Sequence, residues 1–120
     1  MIKATVGILT FNSAKYLHHC LNSVKDFSEI LIVDGGSKDE TLNIAKKFKC
    51  KIKKQPKQFK FNNNKIKDFS KLRDYILKLS KNDIVLFLDS DEFLNRSTLK
   101  KIEFYSKSQA SKKKYYSFLL

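Results

Sequence analysis

The sequence predicts an α/β domain built on a mostly parallel sheet with helices on both faces. Three observations carry that prediction. Apolar runs of strand length alternate with stretches whose apolar residues recur at helical spacing, and this strand-then-helix order repeats along the 120 residues. Three of the runs end in polar clusters, Thr10-Phe11-Asn12, Asp34-Gly35-Gly36 and Asp89-Ser90-Asp91. Strands alternating with helices of this length pair in parallel through right-handed crossovers. Ligands of such sheets gather in the crevice beyond the strand carboxyl ends, so three clusters far apart in sequence should converge on one site.

The elements follow in order. Ala4 to Phe11 reads as a buried strand; behind Ser13 as an N-cap, Tyr16, Leu17, Cys20, Leu21 and Val24 fall at helical spacing. Glu29 to Asp34 is a second strand, and Gly35-Gly36 turns the chain. Ser37 with Glu40 three residues later forms a capping box for a helix carrying Leu42, Ala45 and Phe48. Cys50 and Ile52 alternate with lysines as a short strand with one buried face, ended by Pro56. Residues 57–66 show no firm periodicity. Phe69, Leu72, Ile76 and Leu79 then mark a third helix that leads into a strand at 83–89. A last helix near 96–107 turns Leu99, Ile102 and Tyr105 or Ser106 inward, and 115–120 is a final strand.

Size and composition narrow the function. Residues 1–120 make a single domain, with room for a core but not for a second substrate-binding domain of ordinary size. No apolar run approaches bilayer length, and the amino terminus reads as a strand rather than a signal peptide. Cys20 and Cys50 sit among apolar neighbours, as buried free thiols would, which implies a cytoplasmic setting. The net charge of +13 concentrates in residues 46–73, which hold twelve Lys or Arg and one acid, Asp68. That field attracts polyanions: a phosphate-bearing substrate, nucleic acid, or an anionic membrane that the protein would touch peripherally. A lysine-rich compositional habit accounts for the same charge equally well.

Asp89-Ser90-Asp91 is the most informative motif. Two carboxylates one residue apart, just past a buried strand, can hold a hard divalent cation, although any buried strand must also exit into polar turn residues. Neither a Walker pattern nor a G-x-G-x-x-G is present, and His18 and His19 are adjacent on a helix and cannot chelate together. Glu92 fits a third metal ligand, a supporting partner or a plain turn residue equally well. Phe59 and Phe61 could stack on bases or anchor a loop.

The segments Ile8-Leu9-Thr10-Phe11-Asn12, Ile32 to Thr41 and Leu88-Asp89-Ser90-Asp91-Glu92 resemble, in order and spacing, the amino-terminal half of the family 2 glycosyltransferases with the GT-A fold. Phe69 to Tyr75 is similar to the basic helix start before the acidic motif in that family. More loosely, the chain resembles the branch that adds sugars to lipopolysaccharide cores. The resemblance covers residues 4 to about 105 and implies a Rossmann-like GT-A domain in truncated or minimal form. It implies a nucleotide-diphosphate sugar donor, a UDP-sugar foremost, and a glycan or lipid-linked acceptor. Thr10, Phe11 and Asn12 would line the base and ribose pocket, Asp34 would contact the nucleoside and Arg73 the nucleotide. Asp89 and Asp91 would be the metal motif, with Asp91 the more direct ligand of Mn²⁺ or Mg²⁺ and Asp89 reaching the ribose or the metal through water.

Two departures from the family stand out. Gly35 occupies a position where many members carry a second acid, which leaves Asp34 alone at the nucleoside. The family's catalytic base comes from a carboxyl-terminal portion with no counterpart in these 120 residues, where only Glu92 and Glu103 follow Asp91 as acids. The base is therefore unassigned, and a second subunit or homo-oligomer could supply it. Two other readings compete with glycosyl transfer: a nucleotidyltransferase, which would favour a Gly- and Arg-rich first loop, and a non-catalytic basic module binding nucleic acid or anionic lipid. Nucleic acid is the less favoured partner.

Overall fold

The computed structural model describes residues 1–57, 69–108 and 114–117. Five strands and four helices alternate: β1 Ile2–Thr10, α1 Ala14–Ser23, β2 Phe27–Asp34, α2 Thr41–Lys47, β3 Lys51–Lys54, α3 Phe69–Leu79, β4 Ile84–Phe87, α4 Arg96–Ser108 and β5 Lys114–Ser117. The strands lie in the order β3-β2-β1-β4-β5, and every pairing between neighbours is parallel. The chain builds outward from β1 through β2 to β3, then crosses back to place β4 on the other side of β1. That reversal opens a crevice at the carboxyl ends of β1 and β4.

Both faces of the sheet are covered, which is why its central strands read as unbroken apolar runs. Ala4, Val6 and Ile8 of β1, Ile30 and Ile32 of β2, and Leu86 of β4 pack with Leu17, Cys20, Leu21, Ala45 and Ile102 from α1, α2 and α4. The alternate residues Leu31, Val33 and Val85 meet Leu72 and Ile76 of α3 on the opposite face. Two inward assignments change, one pair of alternatives is resolved and one strand end moves. Tyr16 is half exposed, because the buried stripe of α1 runs along Leu17, Cys20 and Leu21. On α2, Ile44 packs on the core with Ala45 and Phe48, while Leu42 is only partly buried and lies outside that cluster. On α4, Tyr105 is exposed and Ser106 is the half-buried residue. β1 stops at Thr10, leaving Phe11 on the following loop.

Strand starts carry a buried polar cluster. Glu29 accepts hydrogen bonds from Thr5 Oγ1 (2.7 Å), the Lys81 amide (2.8 Å) and Lys51 Nζ (2.7 Å). Burial alone would push its carboxyl up, but these donors, Lys51 first, outweigh that and hold it below the usual glutamate range. Cys20 and Cys50 are free thiols, both pushed up to about 12 by burial, so they stay protonated and unreactive. Phe59, Phe61 and much of the basic stretch lie outside the described residues. Among the described residues no helix is long and apolar enough to cross a membrane.

Gly7 sets the distance between β1 and α3. A Cβ at this position would sit 2.7 Å from Ile76 Cγ2 and 3.3 Å from Ile76 Cδ1, inside van der Waals contact with a branched side chain that is itself fully buried. Gly7→Ala should therefore destabilise the fold by about 1–3 kcal/mol through overpacking. Urea denaturation checks this, and Ile76→Val in the same background should return part of the loss by making room.

Candidate functional site

Strand register builds the first half of the site. Thr10 pairs with Asp34 and Asp34 with Lys54, so the ends of β1, β2 and β3 lie side by side. Thr10 Oγ1 donates to Asp34 Oδ1 at 2.7 Å, and the Ser37 hydroxyl donates to the same oxygen at 2.5 Å. The amides of Gly36 (2.9 Å) and Ser37 (2.7 Å) donate to Oδ2. Four donors fill both oxygens of a side chain that is only 4% exposed. Burial pushes this carboxyl up, but the Ser37 and Thr10 hydroxyls and the two amides hold it below the usual aspartate range. Gly36 adopts φ 104, which the tight turn under Asp34 requires.

The expected capping box does not form, because Asp34 has taken Ser37. α2 begins at Thr41, and Glu40 in the N-cap position makes no side-chain cap. Asp39 does that work for two helices: Oδ1 accepts from the Thr41 amide at 2.9 Å and from the Thr41 hydroxyl, and Oδ2 accepts the Ala14 amide at the start of α1. Hydrogen bonding from Thr41 holds the Asp39 carboxyl low. Ser13 occupies the N-cap of α1 without a capping bond; its hydroxyl accepts the Phe11 amide and a 3.1 Å bond from Ser90. Asn12, at φ 47, completes the stitching. Its amide donates to Ser37 Oγ (2.8 Å) and its side-chain oxygen accepts the Lys38 amide (2.8 Å). The loops after β1 and β2 are thus one unit.

The loop after β4 closes the other side. The Asp89 amide donates to Glu92 Oε1 (3.0 Å), the Glu92 amide donates back to the Asp89 carbonyl (3.0 Å), and the Cys20 thiol points at that carbonyl from below (3.6 Å). Glu92 is therefore a turn-forming residue. Asp89 and Asp91 are exposed, and neither carboxylate makes a hydrogen bond or ion pair among the described residues. They border a cleft of about 480 Å³ with Leu9, Asn12, Ser13, Lys15, Tyr16 and Ser90, at the β1/β4 reversal. A concavity of similar size, about 500 Å³, opens at the strand amino ends around Glu29 and four lysines, but its one carboxylate is already occupied.

The structure brings Asn12, Asp89 and Asp91 into one cleft, while Thr10 and Asp34 are buried at the neighbouring strand ends and do not line it. Phe11 is 48% exposed beside Gly35. Arg73 lies instead on the α3 side of the sheet, its guanidinium 5.8 Å from the Phe87 ring at the end of β4. Lys15 and Tyr16 line the cleft without having been singled out by sequence, since helical periodicity assigned Tyr16 to the core. No cluster of three or more His, Cys, Asp or Glu is placed to hold a metal among the described residues. Two unpartnered carboxylates nevertheless fit Mg²⁺ or Mn²⁺, which commonly bind through one or two acids while substrate phosphates and water complete the shell.

Asp34→Asn should cost about 1.5–3 kcal/mol, because the amide keeps one acceptor oxygen and presents N–H groups to donors. A carboxyl that titrates lower when folded stabilises fully above the unfolded value, and the gain is lost as pH falls through the folded value. Wild-type stability should therefore fall more steeply than that of Asp34→Asn below about pH 4. Urea midpoints measured from pH 7 down to 3 check both the magnitude and the slope.

Comparison with known proteins agrees with this geometry. Residues 5–108 match the model of glycosyl transferase family 2. The poly(ribitol-phosphate) beta-N-acetylglucosaminyltransferase TarS of Staphylococcus aureus is 37% identical over 106 residues, covering 83% of this chain and 18% of TarS. SunS, a glycosyltransferase of Bacillus subtilis, is 35% identical over 100 residues, covering 82% and 22%. The crystal structure of TarS 1–349 with UDP superposes with a TM-score of 0.66 at 29% identity, over 88% of this chain and 32% of that one. Glucosyl-3-phosphoglycerate synthase from Mycobacterium tuberculosis, solved with Mn²⁺ and UDP, shares the fold at a TM-score of 0.56 and 18% identity, over 77% and 36%. The chain spans about a fifth of the length of these two curated relatives. With its parallel sheet, its stitched β1 and β2 loops and its acid pair at the strand reversal, the chain belongs to glycosyl transferase family 2.

Proposed function

We propose that this chain forms the donor-binding part of a glycosyltransferase, holding a nucleoside-diphosphate sugar, UDP-linked, for transfer to an acceptor hydroxyl. The carrying observation is the pair Asp89 and Asp91, exposed and unpartnered among the described residues on the cleft at the β1/β4 reversal, while Asp34, Asp39 and Glu92 accept backbone amides. The solved TarS complexes with UDP and UDP-GlcNAc support the donor class.

The cleft and the loops beside it have distinct roles in this reading. Asp89 and Asp91 would hold Mn²⁺ or Mg²⁺, with Asp91 the more direct ligand. When bound, the cation stabilises the negative charge that the diphosphate gains as the glycosidic bond breaks. Lys15, its ammonium 5.2 Å from the Tyr16 ring, stands at the cleft wall as a second cation for phosphate. Phe11 offers an exposed apolar ring for the base, and the Thr10–Asp34–Ser37 lattice keeps the wall in place. Acceptor activation needs a carboxylate that these elements do not provide. Glu92 is bonded to the Asp89 amide, and Glu103 is paired with Lys107 at 3.2 Å along α4.

Asp91→Asn tests the reading. With Mn²⁺ present, wild-type protein at 100 times the dissociation constant of UDP should be stabilised by about 2.7 kcal/mol, visible as a thermal shift. Asp91→Asn should lose the metal-dependent part of that shift while melting normally without ligand, because its carboxylate supports no other group. Equal metal-dependent UDP affinity in the variant would remove Asp91 from the metal. Tight, salt-dependent oligonucleotide binding with no response to UDP or UDP-sugars would favour a basic binding module instead.

A further inference from the structure

We infer that Gln55 reads the nucleobase of the donor at the strand ends beside this cleft, an assignment that rests on the donor-site reading above. Gln55 directly follows β3, and its amide donates to the Asp34 carbonyl at 2.8 Å, which places it beside Gly35 in the extended ladder. Its side chain is buried, at 8% exposure, yet Nε2 has no hydrogen-bond partner among the described residues. Folded proteins seldom keep such a donor without using it.

The surroundings point to a ligand. A Cβ built on Gly35 would lie 3.3 Å from Gln55 Oε1 and 3.3 Å from Phe11 Cδ1, so the amide and the aromatic ring both lie against a residue with no side chain. Other polar groups at these strand ends are engaged. Asp34 accepts four hydrogen bonds, Thr10 donates its hydroxyl to Asp34, and the Asn12 side-chain oxygen holds the Lys38 amide. The unmatched group is a donor, so its complement is a ring carbonyl such as those of uracil. Phe11, half exposed on its loop, is the neighbour that can yield to an incoming heterocycle and then stack on it.

Gln55→Met keeps the shape and removes the donor, and it separates a ligand-reading role from a packing role by opposite signs. Without nucleotide, the variant should melt at or above the wild-type temperature, since a buried unpaired amide has been replaced by an apolar group. With Mn²⁺ and UDP, its affinity should fall about five- to tenfold, the loss expected for one hydrogen bond. Its preference for UDP over CDP should shrink by a similar factor, while the stimulation by Mn²⁺ is unchanged. Calorimetric titration of UDP, CDP and GDP into the wild-type chain, Gln55→Met and Gln55→Leu reads all three quantities. Wild-type affinity and base preference in both variants would overturn the assignment, as would failure of both to fold, which makes the amide structural. Absence of nucleoside-diphosphate binding by the wild-type chain would remove the donor site itself, and this inference with it.

Discussion

The carboxylate of Asp34 is the interaction on which the site depends. It ties the end of β1 to the end of β2 through Thr10, and it folds the Gly35-Gly36-Ser37 turn back beneath itself. Ser37, held there, is then positioned to accept the Asn12 amide, so the β1 loop is fixed by the β2 loop rather than by its own sequence. Asp39 repeats the device one step further on by capping α1 and α2 together. A charged acceptor suits this task because hydrogen bonds to ionised oxygen are about twice as strong as neutral ones, and several loop amides must be satisfied in little space.

Acids near the crevice consequently divide into two kinds. Asp34, Asp39 and Glu92 each accept backbone N–H groups and maintain loop geometry. Asp89 and Asp91 accept none among the described residues and face the cleft. The division explains how the Asp89 and Asp91 carboxylates stay available: Glu92, not Asp89, satisfies the loop amide, and the Cys20 thiol addresses the Asp89 carbonyl rather than its side chain. An unpartnered pair of carboxylates repels itself, a cost tolerated where solvent or a cation can reach it.

Much of the fold was legible because burial on both faces turns strands into continuous apolar runs, and β1, β2 and β4 are such strands. β2 begins two residues before the Glu29 start read from sequence, at Phe27, and Glu29 inside it is a buried charge whose partners, Thr5, Lys51 and Lys81, are distant in sequence. Local patterns misled where a tertiary partner outcompeted them. Ser37 and Glu40 have capping-box spacing, yet Ser37 is claimed by Asp34. The convergence of Asn12, Asp89 and Asp91 followed from topology and could be read. Gln55 and Asp39 could not, since one shows itself only through an unmatched donor and the other through a contact reaching back 25 residues.

Charge is arranged on two length scales. The chain as a whole carries +13, yet the acid pair sits in its cleft. At physiological ionic strength the Debye length is about 8 Å, so most lysines beyond that distance act on Asp89 and Asp91 only weakly. At about 4 Å and an effective dielectric near 20, one unit-charge pair is worth about 4 kcal/mol, so neighbours in direct contact dominate. A cation can therefore be held locally in a protein whose wider field repels it. In the proposed reading the same wider field draws in an anionic donor, whose phosphates would complete the cation's shell. On that reading donor and metal would favour each other in the cleft, and two carboxylates would suffice where a larger protein cage would otherwise be needed.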